Sequence, residues 1–335
     1  MEKVLVTGAS GYIALHCINE LLKEGYKVKG SLRDLKRENE VRKSLNPELK
    51  YENLEFCQLN LLEDKGWGNA ASDCDYLLHI ASPCFIEEPK DEKEIIEPAR
   101  QGTLRALKAA QESNIKKVVL TASIGSIAYG HKKIICNTND WTDISQDVGA
   151  YIKSKTIAER AAWDFLKKQS KVSFKMTTIH PGMVFGPLLN NNLSGISASL
   201  ISKMIEGKFP ALPNIYFTVV DVRDIAQLHV KSLKNEESNN KRIIATSKEG
   251  MPFVEISMML RDLGYTKSPK NIIPSKIINS LAAFNKGMKT TALMIERGQY
   301  GADISETISM FNWDPIPFKK TLEDMTHSLK KFKNN

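Results

Sequence analysis

The chain has 335 residues, 42% of them hydrophobic and 26% charged, which is long for a single core and fits one large domain with a smaller one. No stretch approaches the ~18 uninterrupted apolar residues of a membrane helix, and Met1-Glu2-Lys3 runs straight into Val4-Leu5-Val6 without the apolar region of a secretory signal, so a cytoplasmic protein is expected. The net charge of +8 is spread along the chain, with its densest run at Lys330-Lys331-Phe332-Lys333, and reads as solvated surface rather than a nucleic-acid face.

Five cysteines, Cys17, Cys57, Cys74, Cys84 and Cys136, are odd in number, scattered and never spaced as CxxC. They read as reduced thiols, so neither a disulfide framework nor a zinc site is expected.

Up to about residue 185, short apolar runs alternate with helix-periodic segments. Strands are expected at 4–6, 27–32, 54–59, 76–80, 117–121 and 174–179. Helices are expected at 12–23, where Ile13, Cys17, Leu21 and Leu22 recur at helical spacing, and in a polar stretch ending at Leu45. Two more follow at 92–113, with Leu104, Leu107 and Ala110, and at 150–169. This alternation predicts an α/β fold, a doubly wound parallel (Rossmann) sheet covered on both faces and joined by right-handed crossovers.

Beyond Pro187 the rhythm changes. Asn190-Asn191-Asn192 and Ser194-Gly195 read as loop, 196–206 and 224–233 as helices, and 217–220 and 242–245 as strands. The tail beyond Glu249 alternates helices with Gly and Pro breaks and has no strand series. The expected division is a dinucleotide-binding domain from 1–185 plus 219–249, and a smaller, mostly helical substrate-binding domain from 186–218 plus 250–330.

The motif Gly8-Ala9-Ser10-Gly11-Tyr12-Ile13-Ala14 stands between the first strand and the first helix. Gly8 permits a tight turn, Gly11 lets a phosphate approach the backbone, and Ala14 keeps the helix close to the sheet. The amides at the helix start, with the positive end of its dipole, then suit a pyrophosphate. Cofactor choice is read at the end of the second strand, Gly30-Ser31-Leu32-Arg33-Asp34, with Lys36 and Arg37 just beyond. Arg33 offers a planar fork to a 2′-phosphate. Asp34 lies past the strand end, where it caps the following helix. NADP(H) is therefore the expected cofactor.

Tyr151-Ile152-Lys153-Ser154-Lys155 opens a helical stretch. Residues i and i+4 share a helical face, so the Lys155 ammonium can sit beneath the Tyr151 phenol and favour its ionised form, bringing it toward the range useful for proton transfer. Ser123, in Leu120-Thr121-Ala122-Ser123-Ile124-Gly125-Ser126, lies just past the end of an apolar strand, where a doubly wound sheet gathers its ligands. Its hydroxyl, or that of the competing Ser126, can hydrogen-bond a carbonyl as it gains negative charge.

These segments together resemble the extended short-chain dehydrogenase/reductases, in the branch of dihydroflavonol reductases, cinnamoyl-CoA reductases and fungal aldehyde/ketone reductases. The resemblance runs through GASGYIA at 8–14, SLRD at 31–34, HIASP at 79–83, LTAS at 120–123, YIKSK at 151–155, HPGMVFGP at 180–187 and VDVRDIAQLHV at 220–230, about two-thirds of the chain. It implies a catalytic Ser123, Tyr151 and Lys155, with Tyr151 as general acid in reduction, Lys155 also on the nicotinamide ribose, and Ser123 orienting the carbonyl. It further implies a cofactor held by Gly8, Ser10, Gly11, Tyr12 and Ile13, by Arg33 and Lys36 at the 2′-phosphate, and by Ala81, Ser82 and Pro83 along its length. Pro181, Gly182 and Val184 would surround the nicotinamide amide. Asn60-Leu61 stands where the family usually has Asp-Leu beside the adenine, and asparagine can both donate and accept there. Gln101, in Gln101-Gly102-Thr103, is given no role.

The remaining histidines and methionines carry less. His79 reads as a packed core residue, and His180 and His229 stand in no metal pattern, so no metal is expected. Met258, Met259, Met288, Met294 and Met310 fit either a substrate pocket or the core. The expected function is NADPH-dependent reduction of an aldehyde or ketone carbonyl, with a small-molecule carbonyl or alcohol as substrate and a monomer or homodimer as the working unit. A hydroxysteroid dehydrogenase, a nucleotide-sugar epimerase and a non-catalytic NADP sensor are the rivals. Arg33 argues against an epimerase with NAD, and the intact Tyr/Lys pair against a sensor. The substrate pocket is expected from 84–90, 125–140 and the second domain.

Overall fold

A computed structural model describes residues 1–49, 51–83, 89–192 and 195–333. Cys84, Ser194 and the 84–88 stretch of the expected pocket lie outside the described residues.

Seven strands form one parallel sheet: β1 (Lys3–Val6), β2 (Lys27–Leu32), β3 (Leu54–Gln58), β4 (Tyr76–His79), β5 (Lys117–Thr121), β6 (Lys175–Pro181) and β7 (Lys241–Ala245). Their order is β3-β2-β1-β4-β5-β6-β7, every neighbouring pair parallel. Chain order reverses direction between β1 and β4, which opens a crevice at the C-terminal strand ends. The helices between the strands are α1 (Tyr12–Lys23), α2 (Glu38–Ser44), α3 (Trp67–Ala71), α4 (Lys93–Glu112) and α5 (Ala150–Lys168). The later ones are α6 (Ile196–Ile205), α7 (Val222–Lys234), α8 (Phe253–Asp262), α9 (Ser275–Ala282), α10 (Lys286–Arg297), α11 (Ser305–Phe311) and α12 (Phe318–Lys333).

Side chains of successive strand residues point to opposite faces, and the apolar strands supply both. Val4, Val6, Leu78 and Val119 pack with Leu15, Ile18 and Leu21 of α1 and Ile225 and Leu228 of α7. Leu5, Leu77, Val118 and Leu120 pack with Trp67, Ala106, Leu107 and Ala162 of α3, α4 and α5 on the other face. Each fully buried Leu or Val contributes roughly 1.5–3 kcal/mol, so the sheet is a rigid platform for whatever its loops carry. A third cluster joins Phe185, Leu188 and Ile201 to Phe253, Ile256, Leu322 and Met325.

Three features differ from the sequence reading. Residues 217–220 divide between two short strands outside the seven-stranded sheet. Tyr216–Phe217 pairs antiparallel with Met251–Pro252, and Val219–Asp221 pairs parallel with Met183–Phe185. The tail also contributes short parallel pairings, Ile272–Ile273 with Leu212–Pro213 and Gly301–Ala302 with Ile135–Cys136. Finally, Phe311 and Trp313 pack on the first face of the sheet rather than in the third cluster, and Thr307 Oγ1 donates to Ile244 O at 2.7 Å.

Candidate active site

The glycine turn is built by its neighbours. Gly8 adopts φ +71°, its N–H donates to Ser31 Oγ (3.1 Å), and Gly11 N–H closes onto Gly8 O (2.8 Å). Thr7 Oγ1 accepts from the amides of Ile80 and Ala81, both at 3.0 Å, which sets Ala81-Ser82-Pro83 beside the turn. A Cβ on Gly8 would meet Ala81 Cβ at 3.0 Å, so close approach as well as positive φ requires glycine there. Helix α1 begins after Gly11 with no side-chain cap, and the donors of its first turn suit an anion.

Ile13 packs partly against the first-face core. Tyr12 does more than flank the turn: its hydroxyl donates to Gly186 O at 2.8 Å, and burial raises its pKa well above that of a free phenol. His16, one turn on, stands 3.0 Å from Pro187 O, and burial lowers its pKa to about 4.

At the end of β2, Arg33 and Lys36 are exposed. Asp34 Oδ1 accepts the Lys36 amide at 3.0 Å and caps the turn Leu35–Arg37, so its carboxylate is spent locally. Arg37, just beyond them, contacts the glycine turn directly: Nη1 donates to Ser10 Oγ at 3.1 Å while Glu40 holds the guanidinium through two bonds of 2.8 and 2.9 Å. The signal that could have found it is its distance of only four residues from Arg33, on a tight turn. Asn60 is also committed locally, donating to Glu63 Oε1 and accepting from the Leu62 amide. Leu61 packs so closely on α4 that a Cβ at Gly102 would lie 2.5 Å from its Cδ2.

Ser123 follows β5 and is 8% exposed. Its Oγ accepts the Gly125 amide at 3.0 Å, capping a turn of 3-10 helix, Ile124–Ser126. That bond leaves the Ser123 hydroxyl hydrogen available for donation. Ser126 is differently placed: fully buried, its Oγ lies 2.5 Å from Glu159 Oε2. Helix α5 enters from Gly149 at φ 82°, and Tyr151 and Lys155 share a face, the Lys155 Nζ 6.0 Å from the centre of the Tyr151 ring. Lys155 is buried and Tyr151 half-buried. Between them, Ile152 Cγ1 lies 3.5 Å from where a Gly125 Cβ would stand, so the Ser123 turn rests on the first turn of α5.

After β6, the Gly182 amide donates to Ala245 O (3.1 Å) and the Met183 amide to Thr218 O (2.7 Å). Pro181 is buried, and Gly182 and Val184 are half-buried. All these segments leave the sheet at its C-terminal edge.

His79 stands 3.1 Å from Thr7 Oγ1, and burial lowers its pKa to about 3. His229 bridges Thr121 Oγ1 (2.7 Å) and Ile225 O (2.8 Å). The pairing of His180 with a carboxylate was invisible in the sequence: its Nε2 lies 2.8 Å from Glu159 Oε1. Among the described residues no group of three or more His, Cys, Asp or Glu side chains could hold a metal ion, and no helix is long and apolar enough to cross a membrane. The described cysteines Cys17, Cys57, Cys74 and Cys136 are free thiols. Met259 and Met294 pack on the third cluster and Met310 on the first, while Met258 is exposed and Met288 half-buried.

The model of the NAD dependent epimerase/dehydratase family matches residues 4–245. A cinnamoyl-CoA reductase of Medicago truncatula is 34% identical over 268 residues, 78% of this chain and 80% of that protein. An NADPH-dependent methylglyoxal reductase of Saccharomyces cerevisiae is 30% identical over 267 residues, 72% of this chain and 77% of its own. The crystal structure of Gre2 from Candida albicans in complex with NADPH superposes with a TM-score of 0.81 at 25% identity, covering 99% of both chains. The chain belongs to the NAD dependent epimerase/dehydratase family, the extended short-chain dehydrogenase/reductases.

Proposed function

We propose that this protein is an NADPH-dependent reductase of aldehyde and ketone carbonyls. The observation that carries the reading is the buried Lys155 ammonium on the same helical face as Tyr151, with the Ser123 turn resting on that helix. The relatives named for NADPH-dependent methylglyoxal reduction and for cinnamoyl-CoA reduction support the same class of reaction.

The residues fit a phosphorylated dinucleotide. Gly8, Ser10, Gly11, Tyr12 and Ile13 would face the pyrophosphate, Arg33 and Lys36 the 2′-phosphate with Arg37 beside them, and Asn60 and Leu61 the adenine. Ala81, Ser82 and Pro83 would run along the cofactor, and Pro181, Gly182 and Val184 would flank the nicotinamide. When bound, NADPH supplies the hydride. The Ser123 hydroxyl donates to the substrate oxygen and orients it. Tyr151 gives its phenolic proton to that oxygen as negative charge develops, a contribution of about 10²–10⁴-fold. Lys155 stabilises the phenolate left behind and holds the nicotinamide ribose. The substrate is a small carbonyl compound, and the enzyme works in the cytoplasm as a monomer or homodimer.

The test is NADPH oxidation by the purified protein across aldehydes, diketones and aromatic ketones, with Tyr151→Phe in parallel. Turnover lost in Tyr151→Phe and poorly supported by NADH is the expected result. Tight binding of NADPH without any turnover overturns the reductase reading in favour of a sensor, and co-purified NAD overturns it in favour of an epimerase.

A further inference from the structure

We propose that Glu159 is a positioning residue for the reaction, locking the Ser123 turn against the helix that carries Tyr151 and Lys155. The inference rests on the catalytic reading above. Glu159 lies on α5, four residues beyond Lys155, and is 1% exposed. An isolated carboxylate at that depth would be very costly, and this one is surrounded. Oε1 accepts from Arg242 Nε (2.7 Å) and Trp163 Nε1 (3.1 Å) and lies 2.8 Å from His180 Nε2. Oε2 accepts from Arg242 Nη2 (3.2 Å) and lies 2.5 Å from Ser126 Oγ.

The partners come from different elements. Arg242 is on β7, His180 is the residue before Pro181 at the end of β6, and Ser126 closes the turn that Ser123 begins. Ser126 has one hydroxyl hydrogen, and the charged carboxylate takes it. Ser126 Oγ also lies 2.8 Å from Ser123 O, which the Ser126 amide serves at 2.9 Å. The Ser123 turn is therefore tied to α5 through Ser126 and Glu159.

A second brace reaches the same turn. Arg242 Nη1 donates to Thr138 O and Asp140 O, and its guanidinium stacks 3.9 Å from the centre of the Trp141 ring. The adjoining Thr142 Oγ1 donates to Gly125 O at 2.7 Å. The arrangement fixes the distance between a hydroxyl at the end of β5 and a phenol on α5, which must reach one substrate oxygen. Misplacement by about 1 Å in such a pair costs up to about 10²-fold in rate.

Ser126→Ala cuts the tie between Glu159 and the turn, together with the 2.8 Å contact of Ser126 Oγ with Ser123 O, and leaves the Arg242 pair whole. Glu159→Gln keeps the shape and removes the charge. Both are assayed with wild type and Tyr151→Phe for kcat, KM, NADPH affinity and thermal unfolding. Ser126→Ala is expected to lower kcat about 10- to 100-fold while KM and NADPH affinity change less than about threefold. The Ser126→Ala/Glu159→Gln double variant is expected to lose less kcat than the product of the two single losses, because both substitutions act on one tether. Wild-type kcat in a folded Ser126→Ala protein overturns the proposal, as does additivity of the two substitutions. If Glu159→Gln does not fold, Ser126→Ala alone decides. Full turnover by Tyr151→Phe overturns the catalytic reading itself, a result distinct from Tyr151→Phe inactive with Ser126→Ala unaffected.

Discussion

Lys155 Nζ lies 6.0 Å from the centre of the Tyr151 ring, on one face of α5 and beneath the turn that holds Ser123. In the proposed reaction a cation on the phenol's helical face would favour the phenolate left by proton transfer, and the two side chains would act as one unit. Tyr151→Phe is expected to lower kcat at least about 100-fold with NADPH affinity nearly unchanged. Lys155→Met is expected to lower kcat and weaken NADPH binding together. Steady-state kinetics beside fluorescence titration separates the two effects. An unchanged NADPH affinity in Lys155→Met would remove its contact with the ribose from the scheme.

Arg37 places a guanidinium on Ser10 Oγ at the glycine turn, whereas Arg33 and Lys36 project into solvent. A charge-assisted hydrogen bond to a phosphate is worth about 2 kcal/mol, or about 30-fold in affinity. Arg37→Ala and Arg33→Ala are each expected to weaken NADPH binding about 10- to 100-fold and to leave NADH binding within about threefold. Equal losses for both nucleotides would mean that these cations serve the turn itself rather than the 2′-phosphate.

The sheet was legible because its strands are apolar on both faces and are separated by amphipathic helices, as in Leu77-Leu78 and Val118-Val119 against the stripe Leu15, Ile18, Leu21 and Leu22. Helix α1 begins and ends where its spacing puts it, at Tyr12 and Lys23. Local motifs also placed Gly8, Ser123, Tyr151 and Lys155 where the fold has them, at a strand end or on one helical face, while their roles stay as proposed. What the sequence hides is long-range polar pairing. Glu159, His180 and Arg242 are remote in the chain and meet only because β6 and β7 are neighbours, and no spacing rule encodes that. The pairing of Gly301–Ala302 with Ile135–Cys136 is hidden for the same reason, a two-residue contact across the whole fold.

Gly182 has a tighter constraint than its expected place beside a nicotinamide. A Cβ there would overlap Thr246 Oγ1 and lie 2.5 Å from Thr218 O, a backbone atom that cannot swing aside. Overpacking of this kind costs about 1–3 kcal/mol, and the close backbone contact puts Gly182→Ala at the upper end. The variant is expected to unfold several degrees below wild type even without cofactor. Gly25→Ala has open space around it but a positive φ, so its loss should come from backbone strain alone and be about 1 kcal/mol. Comparing the two melting curves separates crowding from strain.

Three of the four buried histidines, His16, His79 and His229, make the fold sensitive to mild acid. Burial lowers the pKa of His16 to about 4, of His79 to about 3 and of His229 to about 4. In the unfolded chain each titrates near 6.5, so below that pH the unfolded state binds more protons and stability falls as pH falls. The stabilisation is complete above about 6.5 and is lost progressively down to the folded values, at about 1.4 kcal/mol per pH unit for each histidine. Between pH 7 and 5 the three together remove roughly 6 kcal/mol. Asp224 acts in the opposite sense: burial raises its pKa to about 6, so its protonation in the folded state offsets part of the loss. Urea unfolding at pH 7, 6 and 5 should show a falling midpoint, and His79→Gln, whose side chain cannot take up a proton, should flatten the dependence by about one-third of the histidine contribution. A midpoint that does not change between pH 7 and 5 would mean that these imidazoles are already exposed to solvent in the native state, contrary to their packing against Thr7, Thr121 and Pro187.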